Sequence, residues 1–80
     1  MKIPRDVSGA ELARKLKLFG YQVTRQTGSH MRVTTQENGE HHVTIPNHDP
    51  VRLGTFNSIL SDVADHVGLS RDEILIRLFE

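Results

Sequence analysis

The chain has 80 residues, equal numbers of acidic and basic side chains, and no cysteine. This length predicts one domain over residues 1–80 with a small core, and the lack of cysteine excludes disulfides, a thiolate nucleophile and a cysteine-based zinc site. No apolar run approaches the roughly 18 residues that span a membrane, and the first residues carry no apolar signal core, so we expect a soluble, cytoplasmic protein without a membrane partner.

The first predicted element is a helix that begins at Ser8. Ser8 and Glu11 have the spacing of a capping box, in which the hydroxyl and the carboxylate satisfy free N–H groups of the first turn. Gly20 is typical of a helix end. One apolar stripe lies between these signals and consists of Leu12, Leu16 and Phe19.

Three strands are predicted next, over residues 21–26, 30–35 and 41–46, with a turn at residues 27–29. In the first strand, Tyr21 and Val23 are expected to point inward. A three-residue loop over residues 37–39 sets Val33 opposite Val43, which keeps the apolar residues of the second and third strands on one face. The same register places polar residues on the opposite, open face, namely His30, Arg32, Thr34, His42 and Thr44.

Two helices complete the predicted order. A loop at residues 46–50 precedes a helix with Thr55 as its N-cap and Gly68 as its stop, and Ser70 with Glu73 marks the start of a short last helix. The fold class is therefore α+β. We expect a three-stranded antiparallel sheet with helices packed on one face, in the order α-β-β-β-α plus the C-terminal helix.

The open face carries the candidate chemistry. His30 and Arg32 lie two strand positions apart, so an imidazole that titrates near physiological pH stands beside a permanent cation. That pair suits a phosphodiester, although an ordinary solvated surface also accounts for it. Residues 1–35 have a net charge of plus five and residues 36–80 of minus five. The basic residues thus either form one face around His30 or are interspersed with the acidic residues once the chain has folded.

Other kinds of site are not predicted. The candidate metal ligands are His41, His42 and His48. His41 and His42 are strand neighbours that point to opposite faces, and no carboxylate has the spacing of a metal ligand, so we expect no metal site at these histidines. No glycine-rich phosphate loop is present. Ser29 and His30 are adjacent in sequence and are not expected to form a nucleophile and base pair.

The sequence resembles the HicA toxins, or YcfA-like proteins, of bacterial toxin–antitoxin pairs, in order over roughly residues 3–75. The matching groups are Ser8-Gly9, Leu16, Gly20-Tyr21, Gly28-Ser29-His30, Val43-Thr44-Ile45-Pro46-Asn47-His48, Gly54-Thr55-Phe56 and Ile59-Leu60. The resemblance implies a fold similar to the double-stranded-RNA-binding domain. It also implies a type II toxin that cleaves mRNA without a metal or other cofactor and is inhibited by a HicB-type antitoxin.

The resemblance places the catalytic histidine of the family on His30 and the turn that presents it on Gly28. Ser29, Arg25 and Arg32 are the expected RNA contacts beside it. His48 matches the histidine of the Pro-x-His loop, and either an RNA contact or a structural role in the loop is compatible with that position. The alternative function is a non-catalytic RNA-binding module or a decayed, toxin-like interaction module. Its support is the zero net charge, because members of the family that the sequence resembles are usually basic, and a neutral chain is expected to bind RNA less strongly.

Overall fold

The computed structural model describes residues 4–80. Helix α1 spans Gly9–Lys15 and continues into a 3-10 turn over Leu16–Phe19. Strands β1, β2 and β3 span Gln22–Thr27, His30–Thr35 and His41–Pro46, and helices α2 and α3 span Leu53–Val67 and Arg71–Phe79. This order confirms the predicted α-β-β-β-α arrangement with a short C-terminal helix.

The sheet is antiparallel with strand order β1-β2-β3. Val33 pairs with Val43 and Met31 with Ile45, which confirms the predicted register. These apolar side chains form the sheet half of the core, whose other half comes from the helices. Its fully buried members from the helical layer are Leu12, Leu16, Leu60, Val63, Ile74 and Leu75.

Three predicted helix signals are observed, namely the hydroxyl half of each capping box and the glycine stop of the first helical segment. Ser8 Oγ accepts from the Glu11 N–H at 3.0 Å, and Ser70 Oγ accepts from the Glu73 N–H at 3.1 Å. Gly20 closes the first helical segment at φ 85°, a left-handed conformation that favours glycine because it has no Cβ.

Two element boundaries were predicted wrongly. Helix α2 begins at Leu53, and its N-cap is Arg52, an extended residue whose carbonyl accepts the Phe56 N–H at 2.8 Å. No side chain caps this end of the helix, and Thr55 lies inside its first turn. Strand β1 begins at Gln22, and Val23, which was expected to point inward, is 44% exposed because β1 is an edge strand.

A polar relay ties the end of the sheet that is distant from His30 to helix α2. The Tyr21 hydroxyl lies 2.7 Å from His41 Nδ1, and His41 Nε2 lies 3.1 Å from Asp62 Oδ1. The ring of His66 stacks on His41 with centroids 4.3 Å apart. Because Tyr21 is fully buried, this contact gives its hydroxyl a partner inside the core.

Burial, and secondarily the negative charge of Asp62, raises the pKa of Tyr21 to about 12. The ordinary value is about 10, so between about pH 10 and 12 the unfolded chain holds fewer protons than the folded one, and stability falls as pH rises through that window. The chain has one tyrosine and no tryptophan. An ultraviolet titration of tyrosinate should therefore show a midpoint near 12 in the folded protein and near 10 in denaturant, and equal midpoints would contradict the buried relay.

Within residues 4–80, no helix has the length and apolar character needed to cross a membrane.

Candidate active site on the open sheet face

A two-residue turn delivers His30 to the first position of β2. Gly28 has φ 42° and precedes Ser29 in the hairpin, an arrangement that glycine adopts at little cost because the left-handed region is open to it. Thr27 pairs with His30 across this turn. His30 is thereby fixed at the end of the sheet with its side chain exposed.

The loop after β3 holds this turn in place. Pro46 pairs with His30, and the next residue, Asn47, donates its N–H to the Ser29 carbonyl at 2.7 Å. The following residue, His48, accepts the Gly9 N–H on its carbonyl at 2.9 Å. The start of α1, the loop and the turn thus form one backbone frame around His30, and the exposed His48 side chain lies on that frame.

Ser29 and His30 are closer than their adjacency in sequence predicted. Ser29 Oγ lies 3.3 Å from His30 Nδ1, because Ser29 belongs to the turn and its side chain does not alternate with that of His30. The two side chains therefore do not diverge as neighbours within a strand would. The contact occupies Nδ1 and leaves Nε2 of His30 for a substrate.

Two arginines lie directly opposite each other beside this histidine. Arg25 of β1 pairs with Arg32 of β2, and both side chains are exposed. A β-bulge between Val23 and Arg25 inserts Thr24, which reverses the alternation and turns Arg25 to the face that carries His30. Like charges placed opposite each other destabilise a sheet. Within residues 4–80, neither guanidinium has a carboxylate within 4.0 Å, so the pair is available to an anion.

The basic residues of α1 lie elsewhere. Helix α1 packs in the helical layer, on the side of the sheet away from the open face, and Lys15 Nζ lies 5.6 Å from the centroid of the Phe79 ring. The structure therefore brings Arg25 and Arg32 to His30 and keeps the α1 cations on the other layer.

A hydrogen-bonded chain crosses all three strands on the open face. Thr24 Oγ1 lies 2.8 Å from Thr34 Oγ1, Thr34 Oγ1 lies 2.7 Å from His42 Nδ1, and His42 Nε2 lies 2.7 Å from Glu40 Oε2. The strand register alone predicted Thr34 opposite His42. Thr24 was missed, because a bulge leaves no clear mark on the pattern of residues.

His41 and His42 point to opposite sides of the sheet, as predicted. In the part of the chain that the structure describes, no group of three or more histidine, aspartate or glutamate side chains is placed to hold a metal ion.

Comparison with known proteins gives one family. The sequence model described as the HicA toxin of bacterial toxin–antitoxin systems matches residues 9–64, from the start of α1 into α2 and across the whole sheet. No curated protein and no solved structure matches the chain. The family match spans more than half of the sequence and includes the turn, the loop and the strands described above. The chain belongs to the HicA toxin family of bacterial toxin–antitoxin systems.

Proposed function

We propose that this toxin is an endoribonuclease that cleaves mRNA on the open face of its sheet, with His30 as the proton-transfer group. The observation that carries the proposal is the exposed imidazole beside an uncompensated arginine pair on a face that no helix covers. Flat access suits single-stranded RNA, whose bases and backbone spread over a sheet surface. The decisive experiment is to incubate the purified protein with a labelled transcript.

The chemistry needs one base and one acid. In this proposal, His30 takes the proton of a ribose 2′-hydroxyl as its oxygen attacks the adjacent phosphorus, or gives a proton to the 5′-oxygen that leaves. The new P–O bond and the broken one leave a 2′,3′-cyclic phosphate and a 5′-hydroxyl. This reaction uses the 2′-hydroxyl of the substrate itself as nucleophile, so the chain would need no metal for it.

Arg25 and Arg32 would hold the scissile phosphate and its neighbour. If each neutralises one phosphate, the double variant Arg25→Gln/Arg32→Gln should bind RNA more weakly, and the slope of log K against log salt should become shallower by about 1.4. Arg77→Gln is a matched control, since Arg77 is an exposed cation on α3 that pairs with Glu73. Fluorescence anisotropy at several salt concentrations measures both slopes. An unchanged slope in the double variant would remove the arginine pair from the RNA site.

Members of this family act with an antitoxin partner. We propose a HicB-type antitoxin that covers His30, because an exposed site on a flat sheet has to be closed by a second protein. Carboxylates of the antitoxin would meet Arg25 and Arg32, which raises the association rate more than the affinity. Hydrogen exchange on the complex is expected to show protection over residues 22–34 and 41–48. Protection confined to α2 and α3, with cleavage still blocked, would refute steric masking.

A second candidate function is a non-catalytic module, either an RNA-binding adaptor or a decayed toxin that survives as an interaction partner. The zero net charge of the chain favours it over the nuclease, because a domain that captures RNA as its substrate is usually basic. Intact RNA with a gel shift would indicate the adaptor.

A further inference from the structure

A second feature lies at the edge of the sheet, between the outer strand β3 and helix α2, where the open face meets the helical layer. It is a groove of about 380 Å³ that opens beside His42 and Thr44. Thr44 pairs with Arg32, two strand positions from the Pro46 partner of His30, or roughly 7 Å along the strand. The groove therefore lies within reach of a nucleotide next to one that is held at His30.

We propose, resting on the nuclease function above, that this groove binds the base of a neighbouring RNA nucleotide and prefers guanine. Val43 and Ile59 give the groove an apolar floor that suits the flat surface of a base, and His42 lines it beside them. Hydroxyls surround the floor and can donate or accept at the rim of a base. They belong to Thr44, Thr55 and Ser58.

The charges of the groove favour a base over a phosphate. Asp62 lines the groove at the end where β3 begins, and Glu40 is bonded to His42 at that same end, so two carboxylates would repel the RNA backbone there. Among the described residues that line the groove, none is lysine or arginine. The phosphate site is thus the arginine pair, and the base site is the groove, in a separate part of the surface.

Asp62 gives the preference for guanine. One carboxylate oxygen, Oδ1, already accepts from His41 Nε2 at 3.1 Å, which orients the group, and the side chain remains 54% exposed. An ionised carboxylate only accepts hydrogen bonds. Guanine presents two adjacent donors, N1–H and the 2-amino group, to such an acceptor. Adenine and cytosine place a ring acceptor beside their amino group, and uracil flanks its one N–H with two carbonyls, so each would direct a lone pair at Asp62.

The test is an NMR titration of the intact protein with the four nucleoside 5′-monophosphates. All four carry the same phosphate, so a difference in affinity between them comes from the base. GMP is expected to shift the amide signals of Thr55, Ser58 and Asp62 and to bind about tenfold more tightly than the other three, as one bidentate base contact allows. Asp62→Asn should abolish that preference while keeping an acceptor for His41. Asp65→Asn, one turn further along α2, should retain it. Equal affinity for all four nucleotides, or an unchanged preference in Asp62→Asn, would overturn the inference.

A second pair of variants tests the location of the site. Ser58→Phe fills the groove from an exposed position and should eliminate the GMP shifts, whereas Ser61→Phe on the same helix lies outside the groove and should keep them. Shifts that survive Ser58→Phe would place the base elsewhere.

The titration also separates this inference from the nuclease proposal, because binding does not need cleavage. If the wild-type protein leaves RNA intact but GMP still titrates the groove, the nuclease fails and the base site stands. If RNA is cut without preference for guanine near the cut, and nucleotides bind equally, the base site fails and the nuclease stands.

Discussion

Replacing His30 by alanine should lower RNA cleavage by about 10²- to 10⁴-fold, the usual contribution of a positioned acid or base. The free energy of unfolding should change by less than about 0.5 kcal/mol, because His30 is exposed and its side-chain contact is the 3.3 Å approach of Ser29 Oγ. Growth arrest on expression should disappear with the activity. Cleavage rates and thermal melting of the purified variant measure both effects.

Two further variants make this result specific. His30→Gln keeps a polar side chain on the turn but cannot move a proton near neutral pH, so it should be as inactive as His30→Ala. Gln26→Ala changes an exposed residue of β1 that pairs with Met31 and should keep full activity. A normally folded His30→Ala protein that still arrests growth would end the assignment of this residue.

The second large effect is on stability and comes from Gly9, the first residue of α1. A Cβ at this position would collide with the carbonyl oxygen of Pro46 and lie 3.0 Å from its carbonyl carbon. Both atoms are backbone of the frame that holds the His30 turn, so they cannot move aside as a flexible side chain would. Gly9→Ala is expected to destabilise the protein by on the order of 2–3 kcal/mol. For a domain of this size, Tm should fall by roughly 10–20 °C.

Gly54→Ala is the matched control, since it adds the same methyl group near the start of α2. A Cβ there has no atom within 4 Å, and alanine favours a helix over glycine by up to about 1 kcal/mol, so Tm should stay level or rise. Differential scanning calorimetry compares the two variants. Equal stabilities would show that α1 does not press on the loop at Pro46.

Local patterns in the sequence predicted the parts of the fold that short-range chemistry determines. The capping residues Ser8 and Ser70 and the stop at Gly20 act within a few positions of themselves. The pairing of Val33 with Val43 followed from loop length and the need to keep apolar residues on one face. The position of His30 on an exposed strand end followed from the same register.

Features that depend on packing between distant segments were not predictable in this way. Strict alternation from Tyr21 and Val23 would turn Arg25 inward, and only the bulge at Thr24 brings it beside Arg32. The relay from Tyr21 through His41 to Asp62 joins residues 20 and 21 positions apart. The groove beside β3 likewise arises from the approach of α2, which no single segment encodes.

The most direct measurement is incubation of the purified wild-type protein with an end-labelled transcript in excess chelator, with His30→Ala in parallel. We expect the wild type to produce discrete fragments that carry 2′,3′-cyclic phosphate and 5′-hydroxyl ends and that persist in chelator, and we expect the variant to leave the RNA intact. Intact RNA with the wild type, or equal cleavage by both proteins, would contradict a nuclease that acts through His30.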